Sequence, residues 1–254
     1  MDTPQQTSPY VNLDDTPKPV TLLLKGDSGT GKTYKAAQFP RPVLFSFDNN
    51  LSGLRKLPDD IRKGVRIIDP RRDDKGTVKA IDVWGNFVKQ LEHVGADESV
   101  GTIIIDSLTT MAEALMDKVL KSEDPSKSVE IQQWGEFGRY LKWLGETLLC
   151  ANDLDKHVVI LAHETILQEK LTGRVRYLLA IGGQTKSNFD LYFTDCWRTY
   201  TKPAKAGGGV EYWIRNLATE YHTAKCSLNL PPDFQWDAEK ESIMTQLNKG
   251  LSVK

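Results

Sequence analysis

From Val20 to Phe39 the chain passes from an apolar run, Val20-Thr21-Leu22-Leu23-Leu24, through a glycine-spaced loop into Tyr34-Lys35-Ala36-Ala37-Gln38-Phe39, a helix-forming stretch stopped by Pro40 and Pro42. The loop, Gly26-Asp27-Ser28-Gly29-Thr30-Gly31-Lys32-Thr33, matches G-x-x-x-x-G-K-[ST], the Walker A pattern. Few folds accept this order. A short apolar run without alternation suits a parallel strand buried on both faces. The glycines let consecutive backbone N–H groups curl around phosphate oxygens. Lys32 supplies a point charge to the β- and γ-phosphates of ATP, and the Thr33 hydroxyl is placed to ligate Mg²⁺. The helix that follows turns its positive end toward the same anion.

The 254 residues suffice for one sizeable α/β core, and we read residues 19–254 as one domain behind a polar, proline-rich arm at residues 1–18. No run approaches the roughly 18 apolar residues of a membrane span, and the arm lacks the apolar segment of a signal peptide. The three cysteines, Cys150, Cys196 and Cys226, form no C-x-x-C pair, and the four histidines show no metal-ligand spacing. A reducing cytoplasm is the expected compartment. The net charge of −1 announces no global affinity for nucleic acid. Locally, cations gather from Arg55 to Lys79 and again over Lys170, Arg174, Arg176, Lys186, Arg198, Lys202 and Lys205. Such stretches are usually solvated faces, but each is a candidate for polyanion contact.

Strands and helices then alternate, as in a doubly wound sheet. Pro42 to Phe47 and Val65 to Ile68 read as strands. Val78 to His93, Leu108 to Lys121 and Trp134 to Asn152 read as helices. Thr102 to Ile105 and His157 to Ala162 are apolar enough for buried strands. Beyond His163 the periodicity weakens. Ile166 to Asn188 is expected to hold loops and short strands, Leu191 to Tyr200 and Val210 to Asn216 a late β-hairpin, and Asp237 to Asn248 a terminal helix.

Thr102-Ile103-Ile104-Ile105-Asp106-Ser107 is a Walker B pattern, an apolar strand delivering a carboxylate. Asp106 is expected to hold Mg²⁺ opposite Thr33. In open parallel sheets ligands sit at the carboxyl ends of the strands. The residues to inspect are therefore Asp48, Asp106, Ser107, His163 and Glu164. Asp48 is a candidate to orient the attacking water and accept its proton; a helix cap or turn is its other reading. His163 is a candidate to hydrogen-bond the γ-phosphate.

In this order the Gly26–Thr33 loop, Phe47-Asp48-Asn49-Asn50, Ile103-Ile104-Ile105-Asp106-Ser107, Gln133-Trp134-Gly135-Glu136 and Val159-Ile160-Leu161-Ala162-His163-Glu164 resemble the phage-encoded, minimal RecA-like ATPases of AAA type. Some of these act as single-strand annealing recombinases. The resemblance implies an α/β, RecA-like P-loop core, mostly parallel and flanked by helices, with the His163 strand between the P-loop and Walker B strands. It implies a carboxylate base after the second strand, where Asp48 stands in place of the usual Glu, with Glu130, Glu136 and Glu164 as fallbacks. It implies a basic residue reaching a neighbour's γ-phosphate, here Lys225 or Arg215. It also implies a mobile DNA-binding loop over Ile181 to Asn188, so Gln184 and Lys186, with Arg174 and Arg176, are the DNA-binding candidates. Tyr177 and Phe189 could stack on bases.

The expected activity is Mg²⁺-ATP hydrolysis coupled to single-stranded DNA in recombination or annealing. The resemblance makes the working form a homo-oligomer with nucleotide between protomers, and a single-stranded-DNA-binding protein a partner. The alternative is a nucleotide-dependent replication loader or scaffold with little hydrolysis. A small-molecule kinase fits poorly, because Gly173 to Arg176 makes a poor lid.

Overall fold

The computed structural model describes residues 19–120, 134–146, 155–169, 173–182, 188–204 and 208–249. The arm at 1–18 and the candidates Glu130, Gln184 and Lys186 lie outside them.

The apolar runs become the centre of an eight-stranded sheet. In chain order the first elements are β1 (Thr21–Gly26), α1 (Lys32–Ala36), β2 (Pro42–Ser46), α2 (Asp59–Gly64), β3 (Arg66–Ile68), β4 (Arg72–Asp73), β5 (Gly76–Thr77), α3 (Val83–Ala96) and β6 (Thr102–Asp106). There follow α4 (Leu108–Leu120), α5 (Trp134–Leu144), β7 (His157–Ala162), β8 (Glu164–Gln168), β9 (Val175–Leu179), β10 (Asp195–Pro203), β11 (Val210–Arg215), β12 (Asp233–Phe234) and α6 (Trp236–Lys249). The sheet order is β12-β11-β10-β1-β7-β6-β2-β3. The pairings from β3 through β10 are parallel, and β11 and β12 add antiparallel at one edge. The β7 strand lies between β1 and β6, the position the RecA-like resemblance implied, and the late hairpin is the β10–β11 pair.

Alternation along the strands sorts the core into two faces. Leu23, Phe45, Ile103, Ile105, Val158 and Ile160 pack with Phe87 and Leu91 of α3, Leu115 of α4, and Phe137 and Leu141 of α5. Leu22, Leu24, Leu44, Ile104, Val159 and Leu161 pack on the other side with Ala36 of α1 and Trp236, Ile243 and Leu247 of α6. Both faces are covered, so these strands read as continuous apolar runs rather than alternating ones.

Several expectations move. The helix expected from Val78 begins at Val83, after a 3-10 turn over Ala80–Asp82. The P-loop helix begins at Lys32 and has five residues, so the loop's own N–H groups, more than a long helix dipole, must supply the field. The stretch from Ile166 holds an antiparallel hairpin, β8 on β9, standing apart from the main sheet. In the Arg55–Lys79 stretch the charge is partly cancelled: Arg62 pairs with Asp59 at 2.7 Å, Arg66 with Asp97 at 3.1 Å and Arg71 with Asp69 at 3.0 Å.

One buried histidine locks the last helix to the first strand. Nδ1 of His157 accepts from the Val20 N–H at 2.9 Å, and its Nε2–H donates to the Leu247 carbonyl at 3.0 Å. Burial pushes its pKa down to about 4, against that Leu247 bond. Its folded pKa lies below the unfolded value, so stability from the neutral ring is expected to be lost as pH falls from about 6.5 toward 4. His157→Leu should leave a buried donor and acceptor unpaired and cost about 2–4 kcal/mol, read as a lowered melting temperature at neutral pH. An unchanged melting temperature would mean that the two bonds contribute nothing.

Candidate functional site

The P-loop is pressed against β10. Gly26 has φ 145°, and a Cβ there would lie 2.3 Å from the Thr199 carbonyl oxygen, so only glycine lets β1 turn into the loop. The Thr30 and Thr199 hydroxyls meet at 2.6 Å and fix the far limb of the loop. Gly31 takes the left-handed conformation, φ 81°, and opens α1. Lys32 folds back, its Nζ donating to the carbonyls of Gly26 at 2.8 Å and Asp27 at 2.7 Å. Burial pushes its pKa down to about 8, opposed by the charges of Asp106 and Asp27.

The strand-end residues converge where the parallel sheet predicts. Asp106 ends β6, and its Oδ2 accepts from the Thr33 hydroxyl at 2.7 Å. Burial, helped by the charge of Asp48, raises its pKa to about 6, although the Thr33 bond and Lys32 pull it down. Asp48, two residues beyond β2, accepts at Oδ1 from the hydroxyls of Thr110 and, at 3.4 Å, Ser107. Its Oδ2 lies 4.0 Å from His163 Nε2. Burial and the Lys32 charge lower the pKa of His163, so its ring is neutral near pH 7. All of these except Ser107 and Thr110 line one cleft of about 710 Å³, a size that suits a nucleotide.

The donor set fits Mg²⁺. Thr33 and Asp106 offer a hydroxyl and a carboxylate already in contact, both hard oxygen ligands, and the carboxylate is a buried anion short of positive charge. Among the described residues no group of three or more His, Cys, Asp or Glu could hold a metal alone; nucleotide phosphates and water would complete the shell. Asp106→Asn should therefore cut metal-dependent turnover far more than it cuts nucleotide binding. Because the native carboxyl titrates above its unfolded value, the substitution should also raise apo stability at neutral pH by about 2 kcal/mol. Equal loss of binding and turnover, with a lowered melting temperature, would make Asp106 a structural residue.

Other candidates fall elsewhere. Glu164 is not a free base: its side chain is 1% exposed and accepts from Arg198 Nε at 2.6 Å, with Lys25 at 3.9 Å. Phe189 is fully buried in the core, and the Tyr177 ring lies under the Arg198 guanidinium at 4.4 Å, so neither is an open stacking platform. Arg174 and Arg176 are exposed, Arg176 within β9. Lys225 bridges backbone to backbone with Cys196, at 2.8 and 3.1 Å, and is not among the residues lining its own chain's cleft. Arg215 is held by both carboxylate oxygens of Asp233 at 2.8 Å. Sequence reasoning missed Lys35, Tyr212, Trp236 and Asp237, which also line the cleft. The last three come from elements late in the chain that no local pattern ties to the P-loop. Lys35, two residues after Thr33 in α1, was the one with a signal.

A family model described as an AAA domain matches residues 18–225. No curated protein sequence matches the chain. Among solved structures it is similar to a KaiC-like protein from the hyperthermophilic archaeon Pyrococcus horikoshii OT3, at 16% identity over 79% of this chain and 80% of that one, with a TM-score of 0.48. It is also similar to the RadB recombinase, at 14% identity over 84% of this chain and 93% of that one, with a TM-score of 0.40.

Proposed function

The chain belongs to the AAA domain family of P-loop ATPases, and on that premise we propose that it hydrolyses Mg²⁺-ATP and couples hydrolysis to single-stranded DNA, in recombination or strand annealing of the kind phage-encoded enzymes perform. The working form in this reading is a homo-oligomer with nucleotide held between protomers.

In the cleft, Lys32 exchanges the carbonyls of Gly26 and Asp27 for β- and γ-phosphate oxygens. Thr33 and Asp106 hold Mg²⁺, which offsets phosphate charge when bound. Asp48 orients a water toward the γ-phosphorus and takes its proton as the new P–O bond forms and the bond to the ADP oxygen breaks. The hydroxyls of Ser107 and Thr110 fix the Asp48 carboxylate for this task. The neutral ring of His163 donates to the γ-phosphate.

One observation carries the DNA half. His163, in the cleft, is followed without a spacer by Glu164, the first residue of the exposed β8–β9 hairpin that bears Arg176. A change at the γ-phosphate has one peptide unit to cross before it reaches a surface with a cation. Binding to an oligothymidylate should require nucleotide and weaken steeply with salt, by a log–log slope of about −0.7 per phosphate contacted. Neutralising Arg174 and Arg176 together should lower affinity and flatten that slope by about one. Unchanged affinity would put the DNA surface elsewhere, and nucleotide-dependent assembly without phosphate release would favour the loader or scaffold reading.

A further inference from the structure

The cleft holds a second buried lysine that phosphate chemistry does not use. Lys35 is 3% exposed, and Thr30 O, at 2.9 Å from its Nζ, is its one hydrogen-bond acceptor among the described residues. The ammonium also lies 5.2 Å from the centre of the Tyr212 ring. An ammonium carries three donors, so this one has capacity to spare on a cleft wall.

Sheet order says which end of a nucleotide meets it. The P-loop strand β1 has β7 and β6 on one side and β10 and β11 on the other. Asp106, His163 and Asp48 mark the γ-phosphate end, and all three follow strands on the β7–β6–β2 side. Tyr212 stands on β11, across β1 from them. A triphosphate lying over the loop with its γ-phosphate at Asp106 therefore carries its base toward Tyr212 and Lys35. Trp236, the first residue of α6, is 3% exposed and stacked on Phe39 with ring centres 6.0 Å apart and planes at 22°. That anchor fixes the neighbouring Asp237, which also lines the cleft. Asp237 is the foremost charge opposing the effect of burial on Lys35, which otherwise drives its pKa down to about 8.

We propose that Lys35, Tyr212 and Asp237 form the base-recognition end of this cleft and select adenine by its N7/N6 edge. The inference rests on the reading of the cleft as an ATP site. Tyr212, 47% exposed, offers a ring for the base to lie against. Lys35 donates to N7, and Asp237 accepts from the N6 amino group. Guanine presents N7 and O6 on this edge, two acceptors, so its O6 faces the Asp237 carboxylate with no hydrogen between them. Pyrimidines lack the five-membered ring that carries N7.

Equilibrium binding of Mg²⁺ complexes of ATP, GTP, 7-deaza-ATP and inorganic tripolyphosphate tests this on the full chain. The wild type should bind ATP about tenfold or more tightly than either GTP or 7-deaza-ATP, because a charged hydrogen bond is lost in each case. Lys35→Met should lower ATP affinity by a similar factor yet leave 7-deaza-ATP and tripolyphosphate unchanged. Asp237→Asn should narrow the preference for ATP over GTP. Equal weakening of ATP and tripolyphosphate in Lys35→Met would make Lys35 a loop brace or phosphate ligand and overturn the proposal. So would equal wild-type affinity for ATP and GTP or for ATP and 7-deaza-ATP, comparisons that need no variant to fold. Tripolyphosphate binding with no base preference defeats this inference alone. Failure to bind any triphosphate defeats the ATP reading with it.

Discussion

Lys32→Ala is expected to reduce kcat/KM for ATP by about 10²–10³-fold, the loss typical of removing one preorganised charged donor from a phosphoryl-transfer site. Stability should move the other way. Lys32 is 7% exposed, and burial holds its pKa at about 8, well under the ordinary 10.5. A cation whose folded pKa is depressed costs stability at every pH where the unfolded chain would carry its proton. Removing it is expected to leave the melting temperature unchanged or raised at pH 7, with up to about 3 kcal/mol released, less what the two bonds to Gly26 and Asp27 contributed. Loss of turnover together with a lowered melting temperature would point to a loop brace. Undiminished turnover would remove the P-loop reading altogether.

Lys225→Ala is expected to bind ATP with wild-type affinity and hydrolyse it about 10³-fold more slowly, the scale of a cation supplied in trans to a transferring phosphoryl group. Two placements favour Lys225 over Arg215 for this role. The Lys225 backbone is zipped to Cys196 of β10, at the antiparallel side of the sheet and outside its own cleft. Arg215 is already committed to Asp233 through two bonds of 2.8 Å, so Arg215→Ala should cost stability by orphaning that carboxylate. Mixing separates cis from trans. Lys225→Ala supplies an intact P-loop, and Lys32→Ala supplies an intact Lys225. A mixed assembly should recover part of the turnover that neither has alone. No recovery, with co-assembly verified by size, would put Lys225 in cis or outside the chemistry.

What the sequence made legible follows from physics that acts locally. The strands β1, β2, β6 and β7 are buried on both faces and so are written as unbroken apolar runs. The chemistry at their carboxyl ends could then be read from the next residue or two, which brought Asp48, Asp106 and His163 into one cleft. The β8–β9 hairpin was hidden because Glu164–Gln168 is mostly exposed yet carries Ile166 and Leu167, and so shows neither a clean alternation nor an apolar run. The α2 helix has no buried residue and so no stripe to betray it. Phe189 looked like a stacking residue because aromatic rings serve cores and bases alike, and only the fold decides. Tyr212, Trp236 and Asp237 reach the cleft through antiparallel pairing and a helix docked on the far face of β1, connections that no spacing along the chain records.

The most direct test of the whole account is phosphate release from Mg²⁺-ATP by the full chain, with and without an oligothymidylate at low salt. The account expects slow release alone, a severalfold rise with the oligonucleotide that fades as salt is raised, and neither in Lys32→Ala. Release that ignores the oligonucleotide would contradict the DNA coupling, and no release under either condition would contradict the proposal that this cleft hydrolyses ATP.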